Sequence, residues 1–184
     1  MHSFPSLKSS RLQLRPLAQA DVAFVLYHFS DPAVNRHLLD QAAIASLEEA
    51  QNIVDFFVQS TDDTYTRWVL VNQADGQPIG TCGFHKWDQR NRRAEIGYDL
   101  TPGAWGQGYM SEALTTMLTY GFTAMGLNRV EALVYPANTA SVKLLEKLNF
   151  QREGVLRDCF YHEGSFYDHW LLSLLKPHFQ ALSA

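Results

Sequence analysis

The chain has 184 residues, 46% of them hydrophobic and 18% charged, so it can build a folded core and is not intrinsically disordered; its length predicts one domain over 1–184. Fifteen Lys and Arg against 19 Asp and Glu leave a net charge of −4, which argues against a nucleic-acid-binding face and permits a cationic substrate without requiring one. No apolar run approaches the roughly 20 residues of a membrane span, and the first ten residues lack the apolar centre of a secretory signal.

Residues 11–15 alternate polar and apolar, which predicts a half-buried strand that Pro16 ends. Asp21 can cap a helix through about residue 30, with Val22, Val25, Leu26 and Phe29 on one face. Ser46 followed three residues later by Glu49 is a capping box, and Ile53, Val54, Phe57 and Val58 supply the apolar face of a second helix. Residues 68–71 and 79–84 then read as strands around an Asp75-Gly76 turn. Residues 92–100 alternate, with Ala94, Ile96, Tyr98 and Leu100 on one side and Arg93, Glu95, Gly97 and Asp99 on the other. Three antiparallel strands are therefore predicted between residues 68 and 100.

The period then changes. Met110, Ala113, Leu114, Met117, Leu118 and Phe122 recur at intervals of three and four, so a helix follows and Gly126 stops it. Residues 129–135 predict a strand. Asn138 can cap a helix carrying Val142, Leu145 and Leu148, and Asn149 suits a left-handed C-terminal cap. Strands around 155–161 and 167–175 close the chain. The plan is α+β, with a β-α-β crossover in the middle.

Between the third strand of the meander and the long helix lies Ala104-Trp105-Gly106-Gln107-Gly108-Tyr109. Glycines let the backbone approach a ligand, and a helix start adds unpaired N–H groups and partial positive charge, a combination suited to phosphate. A plain tight turn is the alternative. The P-loop pattern is absent, and a dinucleotide fingerprint fails because Ser111 stands where a third Gly or Ala is needed.

Taken with the element order, this loop resembles the pyrophosphate-binding motif of the GNAT acyltransferase superfamily. Gly106 and Gly108 match that motif, while Trp105 and Met110 depart at its first and last positions. The continuation through Ser111, Glu112 and Ala113 resembles the RimJ/RimL-like branch of ribosomal-protein N-acetyltransferases. So do residues 11–17, Asp31-Pro32, Ala94-Glu95-Ile96-Gly97-Tyr98, the helix after Asn138, and Asp168; together they cover 11–175. The resemblance implies the GNAT fold, a mixed and mostly antiparallel sheet with a central β-α-β unit for acetyl-CoA. It implies splaying of the fourth and fifth strands, with the thioester polarised by a backbone N–H near Tyr98 to Leu100. It also implies an acetyl-CoA site made by Tyr98, Leu100, Trp105, Gly106, Gln107, Gly108, Tyr109, Met110, Ser111, Asn138 and Ser141. Homodimerisation is implied by the resemblance alone.

Transfer of an acetyl group to an amine requires that the amine lose a proton, that the carbonyl be polarised, and that the thiolate be protonated or tolerated. Glu95 is the first candidate base; a surface carboxylate paired with Arg93 is its alternative. Glu163, Asp168 and His85 follow. The tyrosine that many relatives carry in the last helix is replaced by Leu145, which leaves Ser141 as the candidate acid, or as a helix cap. Asn138 can bond the pantetheine amides or serve as the N-cap. Deprotonating a lysine at neutral pH costs about 4–5 kcal/mol and an α-amine only about 1, so the lack of an obvious single base is tolerable for an N-terminal acceptor.

No metal site is expected, because the seven His show no metal-ligand pattern. Cys82 and Cys159 lie in apolar strands, read as buried thiols in a reducing cytoplasm. Phe160, Tyr161, Phe166, Tyr167 and Trp170 read as core or dimer packing rather than a substrate cage. The expected activity is therefore acetyl-CoA-dependent N-acetylation of a primary amine, first a protein N-terminus such as that of a ribosomal protein. Alternatives are a small amine (polyamine or aminoglycoside), a non-catalytic acyl-CoA sensor, or a nucleotide-binding regulatory domain. Neither nucleic acid nor membrane is an expected partner.

Overall fold

A computed structural model describes residues 4–39, 42–59 and 64–179. Eight strands form one sheet: β1 (Leu7–Lys8), β2 (Leu12–Pro16), β3 (Trp68–Asn72), β4 (Pro78–Asp88), β5 (Arg93–Leu100), β6 (Arg129–Val134), β7 (Gln151–His162) and β8 (Ser165–Leu175), in the order β1-β2-β3-β4-β5-β6-β8-β7. Every neighbouring pair is antiparallel except β5–β6. That parallel pair is joined by α4 (Tyr109–Thr123), as a parallel crossover requires.

The two faces of the sheet are covered by different helices. On one side α4 and α5 (Thr139–Lys147) bury Leu114, Met117, Leu118 and Leu145 against Trp68, Phe84 and Ile96. On the other, α1 (Val22–Phe29), the short α2 (Pro32–Asn35) and α3 (Leu47–Gln59) bury Val25, Phe29, Val34, Ala50 and Val54 against Val69 and Val71. This second core buries Asp99, which alternation puts on the polar side of β5.

Local signals are realised with some exchanges of partner. Ser46 and Glu49 form the reciprocal capping box, with the Ser46 N–H donating to Glu49 at 3.0 Å and the Glu49 N–H to Ser46 Oγ at 3.2 Å. Asp21 precedes α1 but does not cap it. Its carboxylate accepts both Arg15 Nη atoms (2.7 and 2.6 Å) and the Ala18 N–H (2.9 Å). Val58 is exposed, and Ala50 takes its place in the core. Cys82 is buried but Cys159 is exposed, because β7 is an edge strand with an open outer side. Tyr161 and Phe166 are likewise exposed rather than core, packed on each other at 5.1 Å between ring centres. No helix among the described residues is long and apolar enough to cross a membrane.

Gly83 of β4 meets the segment just before β3 backbone against backbone. A Cβ added there would stand 2.0 Å from the Thr66 carbonyl oxygen and 2.9 Å from its carbon. Neither atom can rotate away, so Gly83→Ala must move a strand. It is expected to lose about 3 kcal/mol or more. Thermal unfolding should then fall by roughly 6–12 °C.

Candidate active site

The β5–β6 ladder covers only three residue pairs, Arg93–Glu95 against Arg129–Glu131. Beyond it β5 stays paired with β4 as far as Leu100, and β6 with β8 as far as Val134. Each strand is held by its outer neighbour while the inner edges part. The backbone groups of residues 96–100 on that edge have no strand partner. In a folded chain such groups need another partner, and a ligand can supply it.

The glycine turn lies at the wide end of this gap. Gly108 is the N-cap of α4 at φ 78°, ψ 3°, and Gly106 has φ 71°. Both are left-handed conformations that glycine adopts without strain. A Cβ on Gly106 would meet nothing within 4 Å, so the loop is open on that side. A cleft of about 550 Å³ runs from it, lined by Gly106, Gly108, Tyr109, Met110 and Ser111, by Tyr98 and Leu100, and by Asn138 and Ser141. Unpaired helix N–H groups, left-handed glycines and an open cleft fit a pyrophosphate.

Of the expected loop residues, Gln107 departs from the lining and Trp105 keeps to it. Gln107 does not line the cleft: its side chain donates to the Gly103 carbonyl (2.8 Å) and its own carbonyl accepts from Arg11 (3.0 Å). Trp105 lines it half-exposed, with its indole N–H anchored to the Leu100 carbonyl (2.8 Å). That bond ties the loop to the end of β5.

Arg11 is not among the expected site residues, yet its guanidinium lies 4.4 Å from the Tyr109 ring centre and pairs with Glu112 at 2.7 Å. Burial opposes the Glu112 charge. Hydrogen bonds from Ser9, Ser10 and the Arg11 main and side chain outweigh it and hold the carboxyl at about 2. A cation thus stands beside the loop although Trp105 occupies the motif's first position.

In the gap, the Tyr98 and Ser141 hydroxyls meet at 2.6 Å. Burial pushes the Tyr98 phenol well up, so it stays protonated and can donate. Asn138 caps α5 through its side-chain oxygen, which accepts the Ser141 N–H at 3.1 Å. Ser141 is therefore not the cap: its N–H donates to the capping Asn138, and its hydroxyl is free of that task and meets Tyr98. A small adjoining cavity of about 120 Å³ brings Glu95, Tyr98 and Ser141 together with His37, Tyr135 and Phe160. Glu95 pairs not with Arg93 but with Lys86, at 3.0 Å. Phe160, read as packing, lines this cavity and meets the His169 ring at a tilt of 56°, with 4.4 Å between ring centres. Asp168 and Glu163 are exposed on the β7–β8 hairpin and line none of the cavities near the gap.

His37 was not singled out in the sequence. It lines both the large cleft and the small cavity, and its buried Nδ1 has no hydrogen-bond partner. Burial, helped by Arg36, lowers its pKa, so it is neutral at pH 7 and able to accept a proton. Behind β5 sits a second unforeseen group. Asp99 accepts from His28 Nε2 (2.7 Å), the Thr81 N–H (2.9 Å), the Thr81 hydroxyl and Arg67 (2.6 Å). Among the described residues no cluster of three or more His, Cys, Asp or Glu could hold a metal ion.

Comparison with known proteins agrees with this geometry. The model of the acetyltransferase (GNAT) domain matches residues 11–151. The uncharacterized N-acetyltransferase p20 of Bacillus licheniformis is 39% identical over 172 residues, 93% of this chain and 96% of that protein. YdaF of Bacillus subtilis, named provisionally as a ribosomal N-acetyltransferase, is 37% identical over 102 residues, 55% of this chain and 56% of its own. Spermidine N(1)-acetyltransferase of Escherichia coli is 26% identical over 155 residues, covering 84% and 81%. Among solved structures, a GNAT-family acetyltransferase from Bacillus anthracis superposes with a TM-score of 0.83 at 26% identity, covering 94% of this chain and 99% of its own. A parted β5–β6 pair beside a left-handed glycine loop, the domain match and these relatives together establish that the chain belongs to the GNAT acetyltransferase family and is an acetyltransferase.

Proposed function

We propose that this single-domain enzyme transfers the acetyl group of acetyl-CoA to the α-amine of a protein N-terminus in the cytoplasm, as the RimJ/RimL-like branch does. The observation that carries the choice of acceptor is the charge of the pocket. Among the described residues, the three cavities around the gap contain two carboxylates, Glu95 and Asp99, and both are already paired, with Lys86 and with Arg67. A polyamine brings several positive charges and would find no free carboxylate among the described residues of this lining. A single amine with a pKa near 8 needs little electrostatic help and is easily freed of its proton.

In the reaction, the amine nitrogen bonds to the acetyl carbon and the carbon–sulfur bond breaks. One amine proton leaves to the base and one proton reaches the departing thiolate, so an amide and a free thiol result. Glu95 is assigned to take the proton, directly or through water. The Tyr98–Ser141 hydroxyl pair is assigned to supply one to sulfur, in place of the tyrosine missing at Leu145. Backbone N–H groups at the free edge of β5 are assigned to the thioester oxygen. The left-handed loop 105–111 and the start of α4 are assigned to the pyrophosphate.

Thiol release from acetyl-CoA, measured against peptides with free N-termini, spermidine and an aminoglycoside, tests the reading. Release with peptides above the others is expected; release with spermidine alone would overturn it. Glu95→Gln is expected to lower kcat by about 100-fold or more while leaving acetyl-CoA affinity unchanged. If Glu95→Gln retains full kcat and His37→Gln loses it, the base is His37.

A further inference from the structure

We propose that the acceptor site holds an apolar subsite, so that the preferred substrate is an amine bearing an uncharged apolar substituent of leucine to phenylalanine size. Its source is taken to be a peptide whose first residue is Leu, Ile, Met or Phe. This rests on the reading of the acceptor as an N-terminal α-amine. A cavity of about 130 Å³ lies under α1 and α3 on the Asp99 face of β5. It shares Leu38, Tyr98 and Asp99 with the large cleft, so it opens onto the place where the acetyl group is transferred. Its walls are Leu17, Val25, Phe29, Ile53 and Phe57. An apolar cavity of about 150 Å³ accommodates a benzene-sized molecule, so the space suffices for one such side chain.

The polar groups at its floor are all engaged with one another. Both Asp99 oxygens are taken, by His28, Thr81 and Arg67. The other Arg67 Nη lies 3.3 Å from His85 Nε2. Burial, with the charges of Arg67 and Lys86, brings the His85 imidazole down to about 3, so it is neutral. A charged substituent entering this space would be stripped of water and meet no free counter-charge among the described residues, whereas an apolar one gains by leaving water. Gly97 completes the floor, and a Cβ on it would collide with His85 Cε1 at 2.6 Å. The absence of that side chain is what leaves room for the His85 ring and Arg67 Nη1 against the β5 backbone.

The test measures kcat/KM at saturating acetyl-CoA for tetrapeptides differing only in the first residue (Leu, Phe, Gly, Asp, Lys), with isoamylamine and spermidine alongside. Leu and Phe peptides are expected to exceed the Asp and Lys peptides by roughly 10- to 100-fold, the range one apolar contact surface provides. Ile53→Trp fills the cavity and is expected to collapse the Leu-to-Gly ratio about tenfold. Phe57→Ala enlarges it and is expected to shift preference from Leu toward Phe. Acetyl-CoA affinity by calorimetry shows that each variant is folded. Turnover independent of the first residue, or a ratio untouched in both variants, overturns the subsite alone. Isoamylamine turned over without any peptide overturns the N-terminal reading and leaves the subsite standing. Spermidine above every other acceptor, or turnover with none, overturns both.

Discussion

Gly108→Val is expected to weaken acetyl-CoA binding by roughly 30- to 100-fold while the protein stays folded. The reason is conformational. Gly108 sits at φ 78° as the N-cap of α4, where a β-branched residue is strained by about 1–3 kcal/mol. The nearest atom to an added Cβ, Arg11 Nη2, is 3.6 Å away, which is ordinary contact, so the protein itself leaves room. The strain will instead be relieved by turning the peptide, and the N–H groups at the helix start turn with it. Those groups are the ones assigned to the pyrophosphate. Gly126 supplies the control: its φ is 68° with nothing within 4 Å of an added Cβ, and it stands beyond the other end of α4. Gly126→Ala should lose stability but keep its affinity in titration calorimetry. Equal affinity in wild type and Gly108→Val would mean that the loop does not hold the pyrophosphate.

Asp99→Ala is expected to lose about 3–5 kcal/mol of stability, the cost of leaving a buried partner charge uncompensated. Arg67 has a side chain only 11% exposed and donates to Asp99 at 2.6 Å, so its charge would remain in the core unanswered. Thermal unfolding should drop by roughly 6–20 °C. The pH dependence carries a sign. Burial raises the Asp99 pKa, but the Arg67 charge and the bonds from His28 and Thr81 outweigh it and the net shift is downward. A carboxyl lower in the folded state contributes stability above its unfolded value, near 3.9, and loses it as pH falls through the folded value. The gap between wild type and variant should hold level from pH 5 to 8 and shrink only below about 4. A gap that narrowed at neutral pH would mean that some other group is being read.

Which parts of this molecule are visible in its sequence follows from the range of the interactions involved. The α4 stripe from Met110 to Phe122, the alternation along β5, the Ser46–Glu49 capping box and the left-handed Asn149 all depend on neighbours within a few residues. The glycine loop belongs with them, since φ at Gly106 and Gly108 is a local property. Those features carried the fold and the loop proposed to hold acetyl-CoA.

Partner choice was not visible. Arg11 meets Glu112 across 101 positions, His28 meets Asp99 across 71, and Arg67 meets Asp99 across 32. None of these pairs leaves a periodic trace, because each is made by elements that pack only once the sheet exists. For the same reason Asp99, on what alternation marks as the polar side of β5, is buried by α1 and α3, and Cys159, in an apolar run, is exposed on an edge. The sequence by itself determined the elements, their order and the loop suited to a pyrophosphate, because backbone conformation and side-chain period are local. Only the tertiary structure decided which carboxylates are spent on partners, that Tyr98 meets Ser141 in the gap, and that an apolar chamber opens beside it. Those follow from how distant segments fill space against one another.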